Sequence, residues 1–207
     1  MLRFQKMRPE QRTECALLTA RAFADYAYFK NYVPDDEKRH RFLECMMKTE
    51  LRVNEGNEIF LTAMFNQKLA AMAALYPPGV HRASSLAYLR GGFYKAFLLY
   101  GFRDICAWLS MDEKAGAPCH GLTGKTWYLN TLVVDPSCQG MGIGSRFLQK
   151  CIIPFVKKSG GEALCLYTNA EINRAFYQKN GFQEFDARTF YYHEKSLGSW
   201  SYRMEIQ

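Results

Sequence analysis

One turn limits the folds open to this chain more than any other feature: Asp135-Pro136-Ser137-Cys138-Gln139-Gly140-Met141-Gly142-Ile143-Gly144-Ser145. Ahead of it runs an apolar, β-branched stretch, Trp127-Tyr128-Leu129-Asn130-Thr131-Leu132-Val133-Val134. Behind it Ile143, Phe147, Leu148, Cys151, Ile152 and Phe155 recur at helical spacing. The pattern is strand, glycine-rich turn, helix. Such a turn gathers unpaired backbone N–H groups at a helix N-terminus, where an anion can sit. Glycine lets the backbone approach that anion closely, because no Cβ intervenes. The competing reading is a plain strand-to-helix connection.

Three phosphate-binding turns compete for this segment. A P-loop needs a Lys after its last glycine, and none is present. A dinucleotide fingerprint needs Gly-x-Gly-x-x-Gly. Counted from Gly140 its last position is Ser145, and counted from Gly142 it is Phe147, so both fail. What remains is Gln-x-x-Gly-x-Gly, met by Gln139, Gly142 and Gly144. Here the chain resembles the GNAT superfamily of N-acetyltransferases, whose pyrophosphate loop reads Arg/Gln-x-x-Gly-x-Gly/Ala. A second segment is similar to the same family. The buried-strand pattern Ala163-Leu164-Cys165-Leu166-Tyr167-Thr168 precedes Asn173-x-x-Phe176-Tyr177-x-x-x-Gly181-Phe182, a short helix stopped by glycine. The resemblance covers residues 126–190. Residues 1–76 fit the fold loosely, and 77–125 match no named pattern.

Composition agrees with a globular enzyme. At 207 residues the chain is expected to be a single domain, 1–207, with an insertion at about 77–125. No apolar run reaches membrane-spanning length, and Met1-Leu2-Arg3-Phe4-Gln5-Lys6 has no apolar signal core. The seven cysteines are scattered, with no Cys-x-x-Cys, so reduced thiols in a cytoplasmic protein are expected, without a disulfide framework or a metal site. The net charge of +7 could serve nucleic acid, an anionic coenzyme or solubility alone. Its basic clusters, Lys38-Arg39-His40-Arg41 and Lys157-Lys158, are short and no nucleic-acid motif accompanies them, which disfavours nucleic acid. Arg146 and Lys150, on the motif helix, are candidates for the coenzyme or simply a solvated face.

The chain parses as follows. Residues 2–7 form a first strand, Pro9 starts a helix, and a second helix covers Asp36–Val53. Ile59–Phe65 and 69–76 form a hairpin about Asn66-Gln67. Residues 85–113 are helical but interrupted by Gly91-Gly92 and Gly101, and 116–124 is a loop. Residues 182–191 and 200–206 are the last strands, the latter half-buried by alternation. The fold class expected is α/β (α+β mixed sheet). The resemblance implies a GNAT-type central, mostly antiparallel sheet of about seven strands, layered by helices. The helical insertion lies between strands three and four, and splaying of two central strands opens a coenzyme cleft.

Acyl transfer from a thioester to an amine needs a held coenzyme, a neutral amine, an oxyanion donor and a proton for the leaving thiolate. The resemblance implies acetyl-CoA as co-substrate and no metal. The coenzyme would be held by the backbone of Leu132, Val133 and Val134 and by Gln139, Gly140, Met141, Gly142, Ile143, Gly144 and Ser145. Asn173 either contacts the coenzyme arm or caps its helix. Tyr177 matches the family's general acid, and a phenol can protonate a thiolate of similar basicity; the alternative is a core tyrosine. The oxyanion donor would be a strand-four N–H near Val133. No base is named: Asn130 cannot act as one, and Asp25, Glu113 and His193 lack support. The acceptor pocket is expected among Phe23, Tyr26, Phe29, Tyr128 and Asn130, with Tyr28, Tyr32, Tyr88, Phe93 and Tyr94 nearby, an aromatic wall suited to a flat or apolar amine. The spacing and the aromatic N-terminal segment loosely resemble the puromycin N-acetyltransferase-like branch. The function implied is acetylation of the primary amine of a small molecule. The alternatives are a protein or peptide N-acetyltransferase and a non-catalytic acyl-CoA-binding module.

Overall fold

The computed structural model describes residues 1–80, 82–192 and 194–206. In chain order the elements are β1 (Leu2–Lys6), α1 (Arg12–Phe23), α2 (Ala27–Tyr32), α3 (Asp36–Val53), β2 (Ile59–Phe65), β3 (Lys68–Tyr76), α4 (Ser85–Tyr88), α5 (Tyr94–Tyr100), α6 (Phe102–His120), β4 (Thr126–Val134), α7 (Ile143–Phe147), α8 (Ile153–Lys158), β5 (Ala163–Thr168), α9 (Glu171–Lys179), β6 (Gln183–Tyr192) and β7 (Lys195–Glu205).

The seven strands form one sheet in the order β1-β2-β3-β4-β5-β7-β6. Every neighbouring pair is antiparallel except β4 and β5, which run parallel. Helices cover both faces. On one side α1, α2, α3, α5 and α6 pack onto Met72, Ala74, Val133 and Leu197. On the other, α7, α8 and α9 pack onto Ala71, Ala73, Leu129, Leu164 and Leu166. A strand buried on both faces has no use for polar alternation, which is why residues 69–76 of β3 are continuously apolar and buried.

Local chemistry accounts for the boundaries. Asp35 caps α3, accepting from the Lys38 N–H at 2.8 Å. Phe42, Leu43, Met46, Met47 and Leu51 then repeat along the buried stripe of α3. Asn66 and Gln67, at φ 48° and 66°, make the tight turn of the β2–β3 hairpin, two consecutive left-handed residues whose twist suits the strands. Arg39 lies inside the fold, donating to the carbonyls of Ala24, Val33 and Pro34. It therefore ties down α2, a helix absent from the sequence parse, and is not part of a basic surface cluster.

Two further expectations are corrected. The loop expected at 116–124 is confined to 121–124, because α6 continues to His120. Gly116 admits the His120 ring, to which a Cβ would stand 2.8 Å away. Pro118 leaves the Lys114 carbonyl without a helical donor, and Arg188 supplies one at 3.2 Å. The last strand begins at Lys195 rather than at 200, because it pairs with β6 along its whole length. Its serine face is covered as well: Ser199 and Ser201 are buried, so β7 is not half-exposed.

Candidate active site

β4 and β5 pair only from Thr126↔Ala163 to Tyr128↔Cys165. Beyond Tyr128 the two strands part, while β4 stays paired to β3 as far as Val134. One backbone edge of β4 is thereby left open. Asp135 donates its N–H to the Ala70 carbonyl at 2.8 Å. Ladder alternation then turns Val133 toward β3 and leaves Leu132 and Val134 facing the opening. Gln139 agrees with this direction, its Nε2 donating to the Val134 carbonyl at 3.2 Å. The N–H of Leu132, rather than that of Val133, is the donor on the open edge.

The glycine turn stands at one end of this opening. Gly140 and Gly142 take φ 76° and 69°, where L side chains are strained. Gly142 starts α7 and has no side chain to cap it, so the first helical N–H groups, from Ile143 onward, face outward. A Cβ on Gly142 would meet nothing within 4 Å, whereas one on Gly144 would stand 3.4 Å from both Phe176 and Val134. The first glycine serves the turn and the second serves packing against α9. The helix widens at Leu148–Ile152, just ahead of Pro154, and continues as α8. Arg146 folds back onto the carbonyls of Met141 (2.8 Å) and Gly142 (3.3 Å). Ser145 Oγ accepts from Asn180 at 3.1 Å. Met141 and Gln139 are exposed on the turn.

Across the opening, α9 presents Tyr177 and Asn173. The Tyr177 ring packs on Phe176, Phe182 and Tyr202. It also lines the cavity described next. Burial, and then the neighbouring Tyr26 hydroxyl, raise its pKa above the usual phenol value, so it stays protonated at neutral pH. Asn173 does not cap α9, whose first turn begins after Ala170. Its Nδ2 donates to Thr168 Oγ1 at 3.0 Å, and the same oxygen lies 2.8 Å from the Tyr26 hydroxyl. Asn169 does not cap the helix either; its Nδ2 donates to the Gly198 carbonyl.

A cavity of about 720 Å³ extends from the strand opening under α4–α6. Phe23, Tyr26, Phe29, Tyr128 and Asn130 all line it, as do Tyr28, Tyr88, Phe93 and Glu113. Tyr32 instead packs on Tyr192, ring centroids 4.3 Å apart. Tyr94 is exposed, and so is Asp25, which pairs with Lys30 at 2.7 Å. His193 lies outside the described residues.

Sequence reasoning missed the polar wall of this cavity. Asp112 accepts from Tyr28 at 3.0 Å and Tyr167 at 2.5 Å, and pairs with Arg82 at 2.6 Å. Burial alone would raise its pKa, but Arg82 and the two hydroxyls outweigh that and hold it below the ordinary carboxylate value. Arg82 also donates to Asn130 Oδ1 at 3.0 Å. Asn130 Nδ2 in turn donates to Glu58 at 2.8 Å and reaches Glu50 at 3.4 Å. Tyr88 donates to Glu50 at 2.5 Å. Burial first, then the Glu50 charge, push the Glu58 carboxyl well above its usual range. The one available signal was Asn130 itself: a polar residue inside an apolar strand needs buried partners.

The profile of the acetyltransferase (GNAT) domain family matches residues 103–184. Solved structures share the fold at low identity. A histone acetyltransferase HPA2 and related acetyltransferase from Corynebacterium glutamicum is 14% identical, with a TM-score of 0.67, covering 97% of this chain and 94% of its own. An N-acetyltransferase from Staphylococcus aureus Mu50 is 17% identical, with a TM-score of 0.59, covering 100% and 99%. The PaiA N-acetyltransferase from Thermoplasma acidophilum, solved in complex with coenzyme A, is 13% identical, with a TM-score of 0.56, covering 99% of both chains. No curated protein matches the chain.

Proposed function

The chain carries a GNAT acetyltransferase domain, and on that premise we propose that it moves an acetyl group from acetyl-CoA to the primary amine of a small molecule. The observation that supports the reading is the opening between β4 and β5, which leads into a walled cavity lined by Leu132, Asn173 and Tyr177, with the glycine turn following directly on the end of β4. In this reading the open edge of β4 at Leu132 and Val134 pairs with the coenzyme arm as an added strand would. The N–H groups around Gly142 to Ser145 hold its phosphates. Asn173 Oδ1, not engaged by Thr168, receives a donor from the same arm. The Leu132 N–H steadies the oxyanion, and Tyr177 hands its proton to the departing thiolate.

A small acceptor is favoured over a peptide because α4–α6 wall the cavity with Tyr88, Phe93 and Trp108, where a peptide would need an open groove. The N-terminal segment that resembles the puromycin N-acetyltransferase-like branch supplies α2 and the facing wall, while the family match itself extends only to the superfamily. We read the enzyme as cytoplasmic, its seven cysteines being free thiols.

The test is mass-spectrometric detection of acetylated product from acetyl-CoA and a panel of aromatic amines, polyamines, aminoglycosides, amino acids and short peptides. Mass detection avoids reagents for released coenzyme A, which the protein's own thiols would consume. Product from one small-amine class supports the reading. Product from peptides alone overturns it, and acetyl-CoA binding without any product favours a non-catalytic module.

A further inference from the structure

Among the described residues the carboxylates of the cavity wall outnumber the ion pairs made to them. Arg82 is the guanidinium there, and it is engaged by Asp112 and by Asn130 Oδ1. That leaves Glu50 and Glu58 with a phenol and an amide as donors. Among the described residues neither carboxyl has an ion-pair partner. Glu50 lines the cavity; Glu58, 4% exposed, is held beside it by Asn130.

Three polar atoms in or beside the cavity have no partner among the described residues: Glu58 Oε2, the Tyr76 hydroxyl and the Trp108 indole N–H. Tyr76 and Trp108 are 5% and 8% exposed, and both line the cavity. Buried polar atoms are normally satisfied, and orphans clustered round a cavity point to a ligand that satisfies them. A buried carboxylate without a counter-ion is costly as well. The remaining wall, formed by Phe29, Met46, Met47, Phe93 and Trp108, is apolar.

We propose that the Glu50–Glu58 pair is the ammonium subsite for the acceptor, and that the acceptor is a primary amine carried on an aromatic or similarly apolar body. The proposal rests on the acetyltransfer reading and narrows its substrate. The amine arrives as R–NH3⁺, whose charge the pair balances. One N–H bond then breaks, its proton passes to the Glu50 carboxylate, and the electron pair stays on nitrogen to attack the acetyl carbon. The pair holds that proton until water removes it. Burial disfavours two adjacent charges, so the pair gains from taking it up. Besides each other, the titratable groups facing the pair are Tyr76, Tyr88 and Arg82. Glu50 is a catalytic residue in this scheme, and Glu58 a positioning residue.

Calorimetric titration with 2-phenylethylamine and its neutral counterpart 2-phenylethanol, with coenzyme A present, tests the subsite. The wild-type protein is expected to bind the amine at least about tenfold more tightly than the alcohol. Glu50→Gln should erase that preference and Glu50→Asp should keep part of it, with acetyl-CoA affinity the same in all three. Glu58→Gln should move the pH profile of amine binding while Glu50 still selects the cation. Equal binding of amine and alcohol by the wild type overturns the proposal, and so does a preference that survives Glu50→Gln. Failure of acetyl-CoA to bind the wild type would instead overturn the acetyltransfer reading, and the proton step with it, while the amine titration still decides the subsite.

Discussion

Asn130 donates its side-chain amide to Glu58 at 2.8 Å, across 72 positions of sequence. The β4 backbone makes this contact. Ala74 pairs with Thr131 and Leu75 with Leu129, so Asn130 is the extra residue of a bulge. A bulge re-aims a side chain that regular pleating would send elsewhere. Asn130→Leu should therefore leave Glu58 and Arg82 each short of a partner. Loss of about 2 kcal/mol or more is expected in urea unfolding, from polar groups left unmade rather than from lost volume.

Glu58 makes stability depend on pH in a definite direction. Its folded-state pKa lies above the ordinary value, so between the two the folded chain binds the extra proton. Stability then falls as pH rises from about 4.3 through the folded-state value, and the penalty is fully present above it. Glu58→Gln keeps an acceptor for Asn130 and removes the charge. The variant should melt higher than wild type at alkaline pH, with the difference shrinking toward pH 4. A difference that does not change with pH would contradict this.

The two glycines should answer differently to the same substitution. Gly142→Asp puts a carboxylate into open space at the helix start and costs roughly 1–2 kcal/mol of left-handed strain. Acetyl-CoA binding should be lost by calorimetry while the fold is retained. Gly144→Asp should also lose coenzyme but melt lower still, because its Cβ presses on Phe176 and Val134.

Tyr177→Phe removes a hydroxyl and leaves the ring packed on Phe182 and Tyr202. Turnover should fall by about 100-fold or more with coenzyme affinity little changed. Because burial raises its pKa, Tyr177 should cause no alkaline loss of turnover below about pH 10. Wild-type turnover in the variant would remove Tyr177 from the chemistry.

Asp112 joins Tyr28, Tyr167 and Arg82 at one carboxylate. Asp112→Ala should cost about 2–4 kcal/mol, since two buried hydroxyls lose their acceptor at once. Its pKa is depressed, so this contribution is present above about pH 3.9 and fades as pH falls through the folded-state value. Denaturant midpoints of both proteins at neutral and acid pH give the comparison.

Local patterns carried much of the architecture. The Asp36–Val53 helix, the Asn66-Gln67 hairpin, the strand ahead of Gly140 and the helix stopped by Gly181 each depend on residues close in sequence, through caps, periodicity and backbone freedom. Patterns failed where a distant partner changed the local answer. Arg39 looked like surface charge until three carbonyls from another segment enclosed it. Residues 116–120 looked like loop, yet the helix runs on through Pro118 because Arg188 takes the carbonyl it orphans. The serines of β7 looked exposed until helices covered both faces of the sheet.

The sequence by itself determined the features proposed to meet the coenzyme: a glycine turn after a buried strand, and a tyrosine on the helix that follows the next strand. These are short-range, because a turn, a cap and a helical stripe are set by neighbours a few residues apart. Tertiary structure alone decided the charged wall of the cavity, whose aromatic lining the sequence had already offered. Glu50, Glu58, Arg82, Asp112 and Asn130 come from separate segments and share no spacing, and they meet only because the sheet brings α3, β4 and α6 around one cavity. Burial there turns ordinary surface-type residues into a charged wall, since charges that water would screen must instead find one another or a ligand.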